Sequence, residues 1–210
     1  MNVLNFKNKL IVFEGEDHSG KSTIAKMLTE YLNQSGVETI YTFQPGDLRY
    51  GDYASFINKL CKSKEFNLDT LSNLFAFLFD RAEATSKIVL PALKAGKTVV
   101  SDRWWYSTFA YQFYGKQLKE RFDLTDDFIA KLNLFASHYL EPDITFYFAR
   151  PEALVKSTED NKMDLFEMES DLFKKRVKEA YLTLVKKYNF KIIEVDENAS
   201  VTLEKVLNES

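Results

Sequence analysis

The chain has 210 residues, a 45% apolar fraction and a net charge of −3 at pH 7. These values favour one domain over residues 1–210 and give no electrostatic case for a nucleic-acid partner. Its single cysteine, Cys61, excludes an internal disulfide and fits a reducing compartment. No apolar run approaches the ~20 residues of a membrane span, and the N-terminus lacks a signal-peptide core, so we expect a cytoplasmic protein without a membrane partner.

The first predicted strand, residues 10–13, runs into the segment FEGEDHSGKST at residues 13–23. Gly15, Gly20, Lys21 and Ser22 have the spacing G-x-x-x-x-G-K-[ST], which is typical of a phosphate-binding loop. Glycines let backbone N–H groups turn inward, and the N-terminus of the following helix favours an anion. We expect Lys21 to reach the β- and γ-phosphates of a nucleotide and Ser22 to bind Mg²⁺. The loop alone does not specify the reaction.

Strand-like and helix-like segments alternate along the rest of the chain. Strands are predicted over 10–13, 37–43, 98–101, 144–148 and 190–195. Helices are predicted over 21–35, 53–62, 68–95, 106–113, 126–139, 151–156, 172–188 and 201–207. Pro91 is expected to bend or break the longest of them. The alternation predicts an α/β fold of the P-loop NTPase type, a three-layer sandwich with a parallel sheet of about five strands between helices.

The most polar and least periodic stretch is STEDNKMD, residues 157–164. Three interpretations stay open for it: a linker, a disordered loop, or a short mobile lid over approximately residues 157–167. Loop length alone does not decide among them.

Four motifs follow one another along the chain. They are the phosphate loop, Phe77-Leu78-Phe79-Asp80-Arg81, Ser101-Asp102-Arg103-Trp104 and Ser107-Thr108-Phe109-Ala110-Tyr111-Gln112. Together they resemble the thymidylate kinase family of P-loop nucleoside monophosphate kinases, with a likeness that covers nearly the whole chain, residues 10–195. The resemblance implies Mg²⁺-dependent transfer of the γ-phosphoryl group of ATP to dTMP, giving dTDP and ADP, by a homodimer.

The resemblance also implies which residues form the site. The ATP-binding residues would be Gly15, Glu16, Asp17, His18, Ser19, Gly20, Lys21, Ser22 and Thr23. The acceptor-binding residues would be Asp17, Pro45, Phe77, Arg81, Arg103, Thr108, Tyr111 and Gln112. The catalytic residues would be Asp17, His18, Lys21, Arg103, Lys162 and Glu167, and the metal ligands would be Ser22 and Asp102.

The two arginines and the phenylalanine have expected tasks at the acceptor. Arg81 and Arg103 fall where the family binds the acceptor phosphate, and guanidinium groups suit phosphate oxygens because they bind them in a bidentate way. Phe77 would stack on the thymine ring, although Phe75 and Phe79 beside it predict an aromatic cluster that is largely core.

The remaining polar residues would recognise the base, the sugar or the metal. By resemblance, Thr108 and Gln112 would read the base edge, and Tyr111 would crowd the 2′ position of the sugar. Asp17 would accept a hydrogen bond from the sugar 3′-OH. Asp102 would hold Mg²⁺ through water or orient the sugar, or else pair with Arg103.

The segment after the second strand departs from the family pattern. Phe43-Gln44-Pro45-Gly46-Asp47 lacks an arginine or glutamate that family members often carry there. Arg49 or Tyr50, a few residues downstream, could substitute for it.

The lid is the second departure. The segment Asp164-Leu165-Phe166-Glu167 has Leu165 where an arginine is expected, which leaves Lys156 and Lys162 as lid cations. His18 stands where some family members carry a phosphate-loop arginine, and a protonated histidine would be a weak cationic substitute; a neutral histidine bonded within the loop is the alternative. Two other functions therefore stay open: the same reaction on dUMP or a modified pyrimidine such as 5-hydroxymethyl-dUMP, or nucleotide binding with impaired catalysis.

Overall fold

A five-stranded parallel sheet forms the centre of the molecule. The computed structural model describes residues 3–63, 65–149 and 170–209. The strands are β1 (Leu10–Glu14), β2 (Thr39–Phe43), β3 (Thr98–Asp102), β4 (Ile144–Ala149) and β5 (Lys191–Glu194). Their order across the sheet is β2-β3-β1-β4-β5, and every neighbouring pair is parallel. The predicted α/β fold is confirmed.

Helices connect the strands on both faces of the sheet. They are α1 (Lys21–Gln34), α2 (Ala54–Lys62), α3 (Thr70–Ala84), α4 (Leu90–Lys94), α5 (Trp105–Thr108), α6 (Leu118–Arg121), α7 (Asp126–Ala136), α8 (Asp171–Tyr188) and α9 (Ala199–Asn208). Two π-helical segments, Thr85–Val89 and Phe109–Gly115, continue α3 and α5 respectively. A single 3₁₀ turn, Val3–Phe6, precedes β1.

The alternation of side chains along β1 divides the apolar core into two layers. Leu10 and Val12 pack with side chains from α3, α7 and α8 on one face. Ile11 and Phe13 pack with side chains from α1 and α9 on the other. All four are fully buried, as expected of a central parallel strand covered on both faces. The three-layer sandwich follows from this arrangement.

The long predicted helix over 68–95 changes geometry before Pro91 rather than at it. The π-helical turn Thr85–Val89 includes Lys87, whose carbonyl is the one that the ring of Pro91 would meet in an α-helix. Widening the helix at this turn lets the chain pass through the proline without a break.

One other helix ends earlier than predicted, and one predicted helix is not tested. The helix predicted over 126–139 ends at Ala136, because His138 and Tyr139 adopt positive φ angles of 52° and 59°. The predicted helix over 151–156 and the proposed lid over 157–167 lie outside the described residues. Within the described ranges, no helix combines the length and apolar character needed to cross a bilayer.

Candidate active site

The phosphate loop joins the carboxyl end of β1 to the first turn of α1. Gly15 has a φ of +144°, and a Cβ there would lie 2.8 Å from the carbonyl oxygen of Phe148, so only glycine fits. Gly20, with a φ of +80°, immediately precedes Lys21, the first residue of α1. The loop borders a cavity of about 480 Å³. Because the N-terminus of α1 opens onto this cavity, its free N–H groups favour an anion there.

The donor cavity, as we call this space, brings together most of the predicted ATP-binding residues. Its lining residues are Asp17, His18, Ser19, Gly20, Lys21, Ser22, Thr23, Lys26, Tyr41, Phe43, Gln44, Lys62, Asp102 and Arg103. Gly15 and Glu16 complete the loop without lining the cavity. The side chain of Glu16 instead accepts a 3.4 Å hydrogen bond from Tyr147.

Lys21 is held inside its own loop. Its ammonium donates to the carbonyl of Glu16 at 2.6 Å and to Oγ of Ser19 at 3.0 Å. Burial, with the nearby charge of Arg103, lowers the pKa of Lys21 from its ordinary 10.5 to about 8. The lysine is therefore a poorly solvated cation next to the space where phosphates would lie, and an anion placed there would stabilise its charged form.

Ser22 and Asp102 meet at the floor of the donor cavity. The hydroxyl of Ser22 donates to Oδ2 of Asp102. The other carboxylate oxygen of Asp102, Oδ1, is buried and makes no hydrogen bond within the described residues. A hydroxyl beside an unsatisfied carboxylate oxygen is a donor set that suits Mg²⁺, a cation that prefers oxygen ligands and bound water. Both predicted metal ligands therefore fit a magnesium ion.

A second, narrower cavity adjoins the first. Its lining residues are Asp17, Pro45, Lys62, Phe77, Arg103, Ser107, Tyr111 and Gln112. Six of these are predicted acceptor residues, and we call this space the acceptor cavity. Asp17, Lys62 and Arg103 line both cavities, so all the shared residues are charged.

Arg103 organises the junction between the two cavities. It has a φ of +74°, an uncommon conformation for a residue other than glycine, and it forms an ion pair with Asp17. It also donates to the carbonyl of Gly15 at 3.1 Å, and the Tyr111 hydroxyl donates to Asp17 at 2.9 Å. Although burial alone would raise it, Arg103 and Lys21 hold the pKa of Asp17 below its ordinary value. Asp17 is thus ionised at neutral pH.

Glu14 supports this junction from beneath, a role that the sequence did not indicate. The fully buried carboxylate accepts hydrogen bonds from the backbone N–H of Trp104 at 2.8 Å, from the Ser107 hydroxyl at 2.6 Å and from the Tyr181 hydroxyl at 2.9 Å. Burial raises its pKa, while Arg103 opposes that rise. Glu14 therefore ties β1 to the turn that carries Arg103.

Arg81 is placed differently from the prediction. It is 2% exposed and lines neither cavity. Its guanidinium donates to Gln44 at 3.2 Å, to the Trp104 carbonyl at 3.1 Å, to Thr108 at 2.9 Å and to Asn133 at 2.6 Å. Burial lowers its pKa to about 10. With four N–H groups committed to protein acceptors, this arginine does not reach the space expected for an acceptor phosphate.

The other predicted acceptor residues also differ in whether they line the acceptor cavity. Pro45, Phe77, Tyr111 and Gln112 line the acceptor cavity. Thr108 does not, because it is 1% exposed and accepts from Arg81. The expectation that the phenylalanine cluster is largely core is wrong, since Phe75 and Phe79 are 56% and 46% exposed and only Phe77 turns inward.

Neither proposed substitute for the missing arginine reaches the site. Arg49 folds back onto Asp47 and the Tyr41 carbonyl. Tyr50 is buried and donates to Asp80 at 2.5 Å. The same Asp80 oxygen accepts from the Gly46 N–H at 2.6 Å, and burial raises the pKa of Asp80 to about 6. Lys162 and Glu167 lie outside the described residues.

Comparisons with known proteins agree with the geometry. The thymidylate kinase family model matches residues 13–206. A thymidylate kinase of Legionella pneumophila (strain Paris) is 34% identical over 197 residues, covering 92% of this chain and 88% of that protein. One from Kosmotoga olearia is 33% identical over 193 residues, covering 91% and 88% respectively. A thymidylate kinase crystal structure from Ehrlichia chaffeensis has a TM-score of 0.74 at 27% identity, over 96% of this chain and 97% of that one. The chain belongs to the thymidylate kinase family.

Proposed function

We propose that this protein transfers the γ-phosphoryl group of ATP to dTMP, giving ADP and dTDP, in a Mg²⁺-dependent reaction. The observation that carries the proposal is the pair of adjoining cavities, one lined by a phosphate loop and one by aromatic and amide side chains, with charged residues where they meet. Phosphoryl transfer asks a protein mainly to place donor and acceptor in line and to neutralise oxyanions. The arrangement meets both needs.

On the donor side, the loop amides and Lys21 bind the β- and γ-phosphates of ATP. Lys21 already lies against the loop, bonded to Ser19 and Glu16, so binding phosphate exchanges internal acceptors for oxyanions without a large movement. Ser22 and Asp102 would hold a magnesium ion, which would supply positive charge to neutralise the phosphate oxygens.

On the acceptor side, a nucleotide lies with its base between Pro45 and Phe77 and its phosphate toward Arg103. The amide of Gln112, which donates to Asn73 at 3.3 Å, is 1% exposed and lies at the base end of the cavity. Tyr111 closes the sugar region from the other wall, held by its bond to Asp17. In this proposed pose the acceptor phosphate lies at the junction of the two cavities, next to the terminal phosphate of ATP.

His18, Lys162 and Glu167 complete the proposed catalytic set. His18 lines the donor cavity and has a left-handed backbone conformation, with a φ of 58°. Lys162 and Glu167 belong to the lid segment. The role of Lys162 is tested by Lys162→Ala, which should lower kcat if this lysine replaces the lid arginine.

We propose that the active species is a homodimer. Exposed phenylalanines lie on three neighbouring helices, Phe56 on α2, Phe75 and Phe79 on α3, and Phe128 and Phe135 on α7. We call them the aromatic face. Several exposed aromatic side chains on helices that pack side by side favour an association site. A cytoplasmic location is also proposed, supported by the buried free thiol of Cys61 and by the proposed substrates.

A coupled ADP-release assay with a panel of monophosphates tests the proposed reaction. We expect dTMP to give the highest kcat/KM, and activity to disappear in Lys21→Ala and Arg103→Ala. A higher kcat/KM for dUMP or 5-hydroxymethyl-dUMP would show that the acceptor is not dTMP. Binding of ATP without turnover of any monophosphate would contradict the proposed kinase activity.

A further inference from the structure

The residues shared by the two cavities include a lysine that no motif singles out. Asp17, Lys62 and Arg103 are the shared set, and they surround the point where a phosphoryl group would pass. Asp17 and Arg103 form an ion pair with each other, so their charges largely cancel. Among the described residues that line both cavities, Lys62 is the charge that is left.

Lys62 is the last residue of α2, and the helix fixes its direction. Ala54, Ile57 and Cys61 form the buried side of α2, and Lys62 follows Cys61 at the edge of that side, half-buried. Among the residues that the structure describes, no carboxylate lies within ion-pair distance of Lys62 and no hydrogen bond satisfies its ammonium. Its charge nonetheless reaches Asp17, whose pKa it helps to lower.

The other cations near the acceptor cavity are already occupied. Arg81 is enclosed by Gln44, Thr108, Asn133 and the Trp104 carbonyl. Arg49 is turned away, onto Asp47. The segment after β2 contributes Gln44 and Pro45 but no positive charge. A nucleoside monophosphate carries close to two negative charges at pH 7, and Arg103 alone, already paired, does not balance them.

We propose that Lys62 binds the phosphate of the acceptor nucleotide and supplies the positive charge that the segment after β2 lacks. This inference rests on the proposed function, since it assigns a ligand for the acceptor in that reaction. The lysine comes from the end of α2 and Arg103 from the turn after β3, and both line the cavity in which the phosphate would lie. The donor phosphates keep Lys21 and the N-terminus of α1.

Binding of dTMP and of thymidine, measured by calorimetry, separates phosphate recognition from base recognition. Lys62→Met keeps the length of the side chain and removes its charge. We expect its dissociation constant for dTMP to rise by about 10- to 100-fold, the range for loss of a charge-assisted bond, and its affinity for thymidine to stay the same. Lys62→Arg should retain most dTMP affinity. Lys59→Met, an exposed lysine on the same helix, is the matched control and should match the wild type.

Steady-state kinetics give an independent reading. Lys62→Met should raise KM for dTMP and leave KM for ATP unchanged. The assignment would be overturned if Lys62→Met weakened the binding of dTMP and of thymidine equally, if it raised KM for ATP instead, or if it changed neither. Thermal unfolding checks that the variant is folded. If it is not, Lys62→Gln replaces it. If wild-type protein bound no dTMP, the proposed function would fail first, and that result is visible before any variant is made.

Discussion

Arg81 and Arg103 each follow an aspartate in the sequence, yet their side chains have different surroundings. Arg81 is surrounded by neutral acceptors from three parts of the chain, whereas Arg103 lines both cavities. The sequence cannot distinguish them, because the partner Asn133 lies 52 residues from Arg81 and is brought to it only by the packing of α7 on α3. We therefore expect Arg81 to stabilise the fold and Arg103 to act in the proposed reaction.

Arg81→Lys should therefore lower stability, while Arg103→Lys should lower activity. A lysine in place of Arg81 replaces a fork of four hydrogen bonds by a point charge and strands buried acceptors, at a cost of about 2–4 kcal/mol in the free energy of unfolding. Urea unfolding monitored by circular dichroism measures this. Arg103→Lys should unfold near the wild-type midpoint and lose kcat/KM. The same stability loss in both variants would contradict the distinction.

Lys21 makes ATP binding sensitive to pH. Since its pKa in the ligand-free protein is about 8, the fraction carrying a positive charge falls as pH rises from 7 to 9, and ATP affinity should fall with it, up to about tenfold per pH unit above the pKa. Titration calorimetry across this pH range measures the slope. Lys21→Met should bind ATP weakly and without that slope.

The stability contribution of Lys21 changes with pH in the opposite direction to ATP affinity. Between pH 8 and 10.5 the folded protein binds fewer protons at Lys21 than the unfolded chain does, so the contribution of this residue to the free energy of unfolding increases with pH there. Well below pH 8 the buried ammonium of Lys21 is fully charged, so its desolvation cost continues to lower the free energy of unfolding.

At the scale of elements, the acceptor wall depends on how one π-helical segment packs. Phe109–Gly115 carries Tyr111 and Gln112 and lies against α8. A Cβ on Gly115 would lie 2.7 Å from the ring of Phe173 and 3.0 Å from Cγ2 of Val177, both on α8. Gly115 therefore sets the distance between the two elements.

Gly115→Ala should push the segment away from α8 and displace Tyr111 and Gln112. We expect a cost of about 1–3 kcal/mol from overpacking, together with a raised KM for dTMP and little change in KM for ATP. Gly36→Ala is the control, because Gly36 lies beyond the end of α1 that is remote from the phosphate loop and has a φ of +83°. Alanine there should lower stability through backbone strain and leave KM for dTMP unchanged. If Gly115→Ala also lost stability without any change in KM for dTMP, the packing of the segment would not be linked to acceptor binding.

The order of elements could be predicted, but not their exact geometry. Short apolar runs such as Leu10–Phe13 and Thr98–Ser101 predicted all five strands to within two residues at each end, as expected for buried parallel strands. The π-helical segments could not be predicted, since a shift of one residue in hydrogen bonding leaves the apolar periodicity almost unchanged. Lys62 could not be predicted as a site residue, because its position beside both cavities depends on where α2 ends in space.

For the whole molecule, the proposed homodimer predicts a specific mass in solution. The aromatic face of α2, α3 and α7 leaves Phe75 56% and Phe135 68% exposed. Sedimentation analysis should give a species of twice the chain mass of 24.4 kDa. Phe75→Glu should give the chain mass, since a buried charge on both copies of the interface is costly. Ile192→Glu, on the edge strand β5, is the control and should not change the mass. A monomeric wild type would end the proposal.

The position of the two tryptophans has a spectroscopic consequence. Trp104 and Trp105 are the only ones in the sequence, directly follow Arg103, and are almost wholly buried. The backbone N–H of Trp104 donates to Glu14, and the backbone carbonyl of Trp104 accepts from Arg81. Unlabelled protein should therefore carry a built-in fluorescent reporter beside the acceptor cavity, whose emission changes saturably during a dTMP titration and far less during an ATP titration. Occupancy of one substrate could then be followed in the presence of the other, without a dye.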